Sequence, residues 1–409
     1  MEPTAGWLDN LSLKASFGTT GNDRVSSYYA YQGTYSSSDA DGYTVNMYTT
    51  PGITVNSLST PNLKWEKNQQ FNAGFDFSLW AGKLTGTFEY YRRSSKDLLY
   101  YREVPLSAIT GNATGYNTNL GDIRNSGVEI TLGTSPIKSK TFTWNVDFNL
   151  TYLKNQITSL PEGEYTYSGS YAKYKMAEGK SRYEIIGPRY AGADPETGKA
   201  TYWKKIFDAE GNVIDRVRTT DYTEVNMDSQ YDYLGSSIPK VYGSLINSFQ
   251  LKDFDFSFML YYSLGSYTAD HMYKESSVLR QGFSIASDFL ADRWRQPGDV
   301  TDVPRLTVDG TSTYNGIAMY SDRYVYRNNF MRLRNITLGY TFPRTLLSKI
   351  GMSHVRLYVT GDNLLTFGKA ASRGTDPEMD ISGDAYNGSD KNGSISSRRS
   401  VTGGVQISF

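Results

Sequence analysis

Cysteine is absent from the 409 residues, which excludes disulfide frameworks, thiolate nucleophiles and zinc sites built on cysteine. Histidine occurs only at His271 and His354, so a histidine-rich metal site is excluded and a histidine general base would have to be one of these two. Neither histidine has a pattern of serine and aspartate around it that predicts a catalytic triad. The sequence therefore predicts a protein that is not an enzyme and that needs no cofactor.

An excess of charge of either sign is also missing. Lys and Arg together number 42, and Asp and Glu together number 42, so no surplus positive charge is available to hold a phosphate backbone. Nucleic acid is therefore not a predicted partner.

No stretch reaches the roughly 20 apolar residues of a membrane-spanning helix. This absence does not exclude a transmembrane β-barrel, because the strands of a barrel alternate and never form an apolar run.

Apolar and polar residues alternate with a period of two in about ten segments, which is typical of strands with two different faces. The apolar positions of these segments begin at Leu11, Phe71, Leu84, Val128, Phe142, Val241, Phe254, Ile336, Val355 and Val401. Each segment is close to the ~9–11 residues that cross a bilayer as a tilted strand. Further hairpins within residues 154–239 and 263–328 would raise the count to about 12.

Short and long connections alternate strictly along the chain. The short ones lie at 80–83, 135–140, 252–253 and 343–353. The long ones lie near 20–62, 95–125, 154–239, 263–328 and 366–399. In an up-and-down meander this alternation places every long loop at one end. Outer-membrane barrels have tight periplasmic turns and long extracellular loops, which predicts a periplasmic C-terminus.

The sequence of residues 284–294 predicts a short helix inside one of the long loops.

A soluble β-sandwich is the alternative fold, since half-buried antiparallel strands also alternate. Two features favour the barrel. Several alternating segments end in an aromatic residue, as expected for side chains at the lipid headgroups, and these are Tyr90, Tyr152, Tyr262 and Tyr340. The other face carries Lys, Asp, Asn, Arg and Gln, which a sandwich core would not bury. The sequence thus predicts an all-β, antiparallel up-and-down transmembrane barrel.

Recognisable blocks of sequence follow one another along nearly the whole chain. They include LKASFGTTGN at 13–22, TPNLKWEKNQQFNAGFDFSL at 60–79, NSGVEITL at 125–132, GADPETGKATYW at 192–203, FMRLRNITLGYTFP at 330–343, LYVTGDNLLTF at 357–367 and TDPEM at 375–379. In this order they resemble the C-terminal barrel half of the SusC/RagA family of TonB-linked outer-membrane proteins. Such a collinear set is far more specific than one short motif.

The resemblance implies a 22-stranded barrel closed by a plug. Residues 1–409 would then be the C-terminal portion of the barrel, with 10–12 strands present. The signal peptide, the plug, the segment that contacts TonB and the earlier strands would be absent. Phe409, a terminal aromatic residue on a strand, resembles the signal that the barrel-assembly machinery reads.

The same resemblance implies TonB-dependent uptake of oligosaccharides, or in some members of peptides, across the outer membrane. A SusD-like surface lipoprotein would act as the lid, and TonB would act through the missing N-terminal part. Two alternatives stay open from the residues themselves. One is a surface-exposed barrel that binds or adheres without transport, and the other is a soluble, secreted, all-β protein that acts on glycans.

Aromatic residues in the loops are the candidate ligand contacts. Tyr202 and Trp203 are the first choice, with Tyr171 and Tyr174 beside them. Rigid aromatic faces stack on sugar rings at a low entropic cost, and tyrosine adds a hydroxyl. Packing of the loops on one another is an equally good explanation for any one of these residues.

A cluster of acidic residues near the C-terminus is the candidate for a metal site. It consists of Asp376, Glu378, Asp380 and Asp384. Oxygen-rich loops can hold calcium, but the cluster lacks the spacing of an EF-hand. A solvated acidic loop is the favoured explanation, so no metal is predicted.

Overall fold

The computed structural model describes residues 6–23, 29, 31–45, 48–103, 115–161, 163–168, 172–277, 284–306, 320–348, 351–378 and 397–409. The strands are β1 (Leu8–Asn22), β2 (Thr34–Val45), β3 (Tyr48–Ser57), β4 (Glu66–Leu79), β5 (Leu84–Lys96), β6 (Leu99–Glu103), β7 (Gly115–Asn119), β8 (Asp122–Lys138), β9 (Phe142–Ser159), β10 (Tyr165–Ser168), β11 (Lys173–Met176), β12 (Glu184–Gly187), β13 (Arg189–Ala193), β14 (Ala200–Phe207), β15 (Val213–Thr219), β16 (Asp232–Ser236), β17 (Val241–Leu251), β18 (Phe254–Leu264), β19 (Tyr267–Ala269), β20 (Val325–Arg327), β21 (Phe330–Thr341), β22 (His354–Gly368) and β23 (Ser400–Ser408). The helices are α1 (His271–Ser276), α2 (Ser287–Asp292), α3 (Arg344–Leu347) and α4 (Lys369–Ser372).

Ten of these strands form one antiparallel sheet, in the order β1-β4-β5-β8-β9-β17-β18-β21-β22-β23. The order follows the chain, so each strand pairs with the wall strand that precedes it in sequence. We call this sheet the wall. Short turns join the wall strands at one end, which we call the turn end, and long connections join them at the other, the loop end. The predicted up-and-down meander is confirmed.

The turn between β4 and β5 shows how tightly the turn end is built. Trp80 and Ala81 both have a positive φ, 56° and 55°, and Gly82 follows with 75°. Positive φ is uncommon outside glycine, so this turn needs support from elsewhere. The Asp9 carboxylate supplies it by accepting hydrogen bonds from the Ala81 and Gly82 amides at 3.0 and 2.9 Å.

One face of the wall is apolar and open. Leu13 is 79% exposed and Phe17 is 70% exposed. Other exposed apolar residues on the wall strands are Leu11, Phe71, Leu251, Phe254, Leu338, Leu357, Val359, Val401, Val405 and Ile407. No described part of the chain covers these side chains as the second sheet of a sandwich would. An apolar surface of this extent marks a lipid or protein contact, and the sandwich alternative is wrong.

No helix among the described residues is long and apolar enough to cross a membrane.

Strand β21 contains a bulge that changes which face its side chains occupy. Leu333 and Asn335 pair with successive residues Leu260 and Met259 of β18, so Arg334 has no counterpart there. In an unbroken strand, Arg332 would share the apolar face with Ile336. The extra residue moves Arg332 to the polar face, as bulges often do near functional sites.

The dry cores of the described chain lie at the loop end, in the long connections and in the ends of β8 and β9 that enter them. One cluster contains Leu120, Ile123, Ile157, Leu160 and Met176, and another contains Ala172, Tyr174, Ile185, Leu234 and Ala269. The connection between β9 and β17 carries a four-stranded sheet, β10-β11-β12-β16, and a three-stranded sheet, β13-β14-β15. The suspected hairpins therefore exist, but they form separate sheets and do not widen the wall. Helix α2 lies inside the predicted helix at 284–294.

Candidate functional site

The three-stranded sheet presents a row of cations and one indole on a single face. In β14, Trp203 pairs with Arg189 of β13 on one side and with Arg218 of β15 on the other. Lys205 pairs with Arg216 one repeat further along. Because side chains alternate with a period of two, all five occupy the same face of the sheet.

This face forms one side of a cleft with a volume of about 610 Å³. The cleft is lined by Arg189, Tyr190, Trp203, Arg216, Asp232 and Asp322. Asp232 is the first residue of β16, and Asp322 starts a 3-10 turn that precedes β20. The site therefore combines the β9–β17 connection with the β18–β21 connection.

Asp232 is the electrostatic centre of the cleft. Arg216 donates to both of its oxygens, at 2.9 and 3.2 Å, and Arg189 Nε and Lys205 Nζ approach to 3.1 and 2.9 Å. Burial alone would raise the pKa of Asp232, but the hydrogen bonds from Arg216, Lys205 and Arg189 outweigh it and hold this pKa far below its ordinary value. The carboxylate is thus ionised throughout the physiological range.

Arg189 links the two halves of the site. Its Nη1 lies 3.1 Å from Asp322, and Asp322 also accepts a hydrogen bond from the Tyr190 amide at 2.7 Å. Burial would lower the pKa of Arg189, but the hydrogen bonds to Asp322 and Asp232 raise it above its ordinary value. The cleft is therefore held by a network rather than by one isolated pair.

Acidification is expected to loosen this site. The folded pKa of Asp232 is below its ordinary value of 3.8, so its contribution to stability is complete above about pH 5 and is lost as pH falls through the folded pKa. Hydrogen exchange of the amides of β13–β16 should accelerate between pH 5 and pH 2 after correction for the intrinsic rate. In Asp232→Asn this extra pH dependence should vanish. An unchanged pH profile in the variant would contradict the assignment.

Of the predicted ligand contacts that the structure describes, only Trp203 lies at the cleft. Tyr202 points to the other side of β14, is 1% exposed, and packs its ring against Tyr190 and Tyr222 at 5.8 and 5.2 Å between centroids. Tyr174 is fully buried, and Tyr171 is outside the described residues. Ligand contact by Tyr202 or Tyr174 would require these cores to open, and it stays a prediction.

The acidic cluster has a different surrounding from the predicted solvated loop. Asp376 is 7% exposed and forms an ion pair with Arg332, while Glu378 forms ion pairs with Arg332 and Arg334. Within the described chain, no three His, Asp or Glu side chains come together as a metal site. Asp380 and Asp384 are outside the described residues, so the prediction that the cluster holds no metal stays a prediction, with calcium as its alternative. The two carboxylates that are described hold arginines.

These carboxylates belong to a segment that we call the strap (residues 369–378). Its Arg373 lies over the rings of Tyr273 and Tyr326, 4.0 and 5.0 Å from their centroids, and 3.6 Å from the buried Asp270. Asn328 also donates to the Pro377 carbonyl at 2.8 Å. The strap thus ties the β18–β21 connection to the polar face of the wall.

The profile of the family described as "TonB dependent receptor-like, beta-barrel" matches residues 3–268. The chain belongs to this family. The ten-stranded meander with an open apolar face agrees with a barrel wall, and the resemblance found from sequence blocks is confirmed. TonB-dependent receptors are outer-membrane proteins, and the names of the relatives support a non-enzymatic role at the level of the family.

Curated relatives match along most of this chain. TonB-dependent receptor P3 of Formosa agariphila is 29% identical over 97% of the chain, which corresponds to 39% of the relative. TonB-dependent receptor SusC of Bacteroides thetaiotaomicron is 28% identical over 91% of the chain and 35% of the relative. The chain therefore spans less than half the length of these relatives.

Solved structures agree on the fold. A chain in the structure of the RagAB peptide transporter superimposes with a TM-score of 0.77 at 24% identity, covering 100% of this chain and 42% of that one. The "closed-closed" state of the RagAB peptide importer gives a TM-score of 0.75 at 25% identity, covering 98% of this chain and 41% of that one.

Proposed function

We propose that residues 1–409 form the C-terminal portion of a TonB-dependent transporter barrel that imports oligosaccharides across the outer membrane. The open apolar face of the wall supports this proposal most directly, because such a face suits lipid tails. In this arrangement the folded connections face outward and the turn end, with the C-terminus, faces the periplasm. The plug and the segment that contacts TonB would lie in the rest of the receptor.

A SusD-like surface lipoprotein is the proposed partner at the loop end, where it would close over the long connections. The relative named SusC and the fold shared with RagAB support this part of the proposal. Peptide is the second candidate cargo, because the RagAB structures that share this fold are those of a peptide transporter. The cleft with Trp203 favours a saccharide, since an indole stacks well on a sugar ring.

Uptake by intact cells tests this function. A strain without the complete receptor should lose uptake of a fluorescently labelled oligosaccharide, and a protonophore should stop uptake in the wild type because the energy comes from the inner membrane. A plasmid copy of the gene should restore uptake. Uptake that survives both treatments would exclude the proposal. Loss of cell attachment with normal uptake would favour the adhesin alternative instead.

Phe409 supplies a separate test of barrel assembly. Its side chain is 88% exposed at the turn end, directly after β23, so its removal creates no cavity in the described structure. We expect deletion of Phe409 from the complete receptor to lower the amount in the outer membrane severalfold, because the assembly machinery would lose a terminal aromatic signal. Quantitative blotting of membrane fractions measures this. Truncation of the equally exposed Val300 side chain (91%) by Val300→Ala is the control, and equal levels in both variants would contradict the prediction.

A further inference from the structure

The cationic face of the three-stranded sheet is not neutralised by its carboxylates. Arg189, Lys205, Arg216 and Arg218 lie on this face, and Asp232 and Asp322 are the two acidic residues that line the cleft. Asp194 also acts on Arg218 through its charge, but its Oδ1 accepts hydrogen bonds from Thr197. The face therefore keeps a net positive charge that a ligand anion can complement.

Most of the cationic donors are already engaged. Arg189 donates to Asp232, to Asp322 and to the Tyr233 carbonyl, and Lys205 donates to the Tyr231 carbonyl at 2.7 Å while pairing with Asp232. These groups build the cleft. The charges of Arg189 and Lys205 attract an anionic ligand, but their N–H groups already donate hydrogen bonds within the protein.

Arg218 differs from its neighbours. It is exposed, and it forms no hydrogen bond or ion pair with any residue that the structure describes. Its guanidinium lies 5.3 Å from the centre of the Trp203 ring, which orients the group by a cation–π contact. A planar guanidinium held in this way offers paired N–H donors to a carboxylate or a sulfate.

We propose that this cleft and the cationic face beside it bind an anionic saccharide, with one sugar ring in the cleft against Trp203 and its carboxylate or sulfate group on Arg218, which lies next to Trp203 on the same face. The volume of about 610 Å³ suits one or two sugar rings, since small-ligand sites span about 300–1,000 Å³. The Trp203 indole provides a surface for the sugar ring. The Arg218 guanidinium, which has no hydrogen-bond partner among the described residues, provides donors for the anion. The proposal deepens the proposed function, on which it rests, by naming the class of cargo.

Calorimetry on the purified complete receptor tests this assignment. The probes are trigalacturonate and a sulfated galactose trisaccharide, each compared with its neutral galactose counterpart. We expect each anionic probe to bind at least tenfold more tightly than its counterpart in 50 mM NaCl. The difference should shrink in 500 mM NaCl, because salt screens exposed charges. Binding of triglutamate as tight as that of the anionic saccharides would overturn the proposal, as would anionic probes that bind no better than neutral ones.

Variants locate the site. Arg218→Gln should weaken binding of the anionic probes about tenfold, since the charge-assisted hydrogen bonds to the anion are lost, and should leave neutral saccharides unaffected. Trp203→Ala should weaken every saccharide that binds. Lys204→Gln removes the same charge from the opposite face of β14 and should change nothing. An unaltered affinity in Arg218→Gln would overturn the proposal.

The two proposals can fail separately. If the receptor binds anionic saccharides through Arg218 but cells do not import them, the transport function is wrong and the site stands. If cells import neutral saccharides and the receptor shows no preference for anionic ones, the function stands and the site assignment is wrong.

Discussion

Replacement of Arg332 by methionine is expected to destabilise the strap by about 3–5 kcal/mol, the usual result of removing one partner from a buried ion pair. The side chain of Arg332 is 2% exposed and the side chain of its partner Asp376 is 6% exposed. Without the guanidinium, the Asp376 carboxylate keeps neutral donors, namely the amides of Glu378 and Ser397, at 3.0 and 2.7 Å, and the Ser397 side chain. The cost is that of a buried carboxylate left without its counter-charge.

Native-state proteolysis measures this effect. Trypsin can cut after Arg373 only when the strap opens, because that side chain is held over the rings of Tyr273 and Tyr326 and beside the buried Asp270. When opening is fast, the cleavage rate follows the population of the open form, so cleavage at Arg373 should accelerate by roughly two to four orders of magnitude in Arg332→Met, since about 1.4 kcal/mol corresponds to a factor of ten.

An exposed ion pair provides the matched control. Lys204 and Glu224 are 2.7 Å apart with side chains 32% and 38% exposed, and such pairs contribute about 0–1 kcal/mol. Lys204→Met should therefore leave cleavage at Arg373 unchanged. Equal rates in Arg332→Met and wild type would mean that the strap is held by its other contacts.

The buried ion pair between Arg332 and Asp376 also shows what could not be predicted from the sequence. Alternation predicted the wall strands, because a strand with one face on lipid must keep a strict period of two. Counting back from Ile336 places Arg332 on the apolar face, where a charge would be unfavourable. The bulge at Arg334 resolves the conflict, but a bulge is one extra residue and has no composition of its own. Arg332 and Arg334, the two arginines in FMRLRN, were the feature of the sequence that could have indicated the bulge.

The cleft could be predicted only in part. Trp203 was singled out as an aromatic residue in a long loop, yet Arg189, Arg216 and Asp232 were not. These charges are up to 43 residues apart in the chain, and they meet only because β13, β14 and β15 pair and β16 packs beside them. Ordinary charged residues on short strands carry no pattern that distinguishes a binding site from a solvated surface.

The loop tyrosines were ambiguous for a different reason. A tyrosine can present its ring to a ligand or bury it in a core, and the same residue type suits both roles. The structure buries Tyr174 and Tyr202, because the long connections are folded units that need cores of their own. Tyrosine is also abundant, with 34 residues in the chain, so its presence in a loop has little predictive value.

Tyr174→Ala is expected to cost about 3–5 kcal/mol in the core of the β9–β17 connection, the range seen when a buried aromatic ring is truncated. Tyr174 is fully buried, and its ring lies 5.3 Å from that of Tyr167 and 6.4 Å from that of Tyr183. The variant leaves a cavity among these rings that the short strands β10, β11 and β12 cannot close by a simple shift.

Hydrogen exchange locates the loss. In Tyr174→Ala, the free energies of local opening should fall by about 3–5 kcal/mol in β11 and β12. Strands β22 and β23 of the wall do not contact this core, so their amides should keep their protection from exchange. Tyr35→Ala is the control, because that side chain is 70% exposed and surface substitutions usually change stability by less than about 0.5 kcal/mol. If Tyr174→Ala kept full protection in β11 and β12 yet lost saccharide binding, the ring would be a ligand contact after all. Loss of protection in those strands instead assigns Tyr174 to the core that holds the cleft in place.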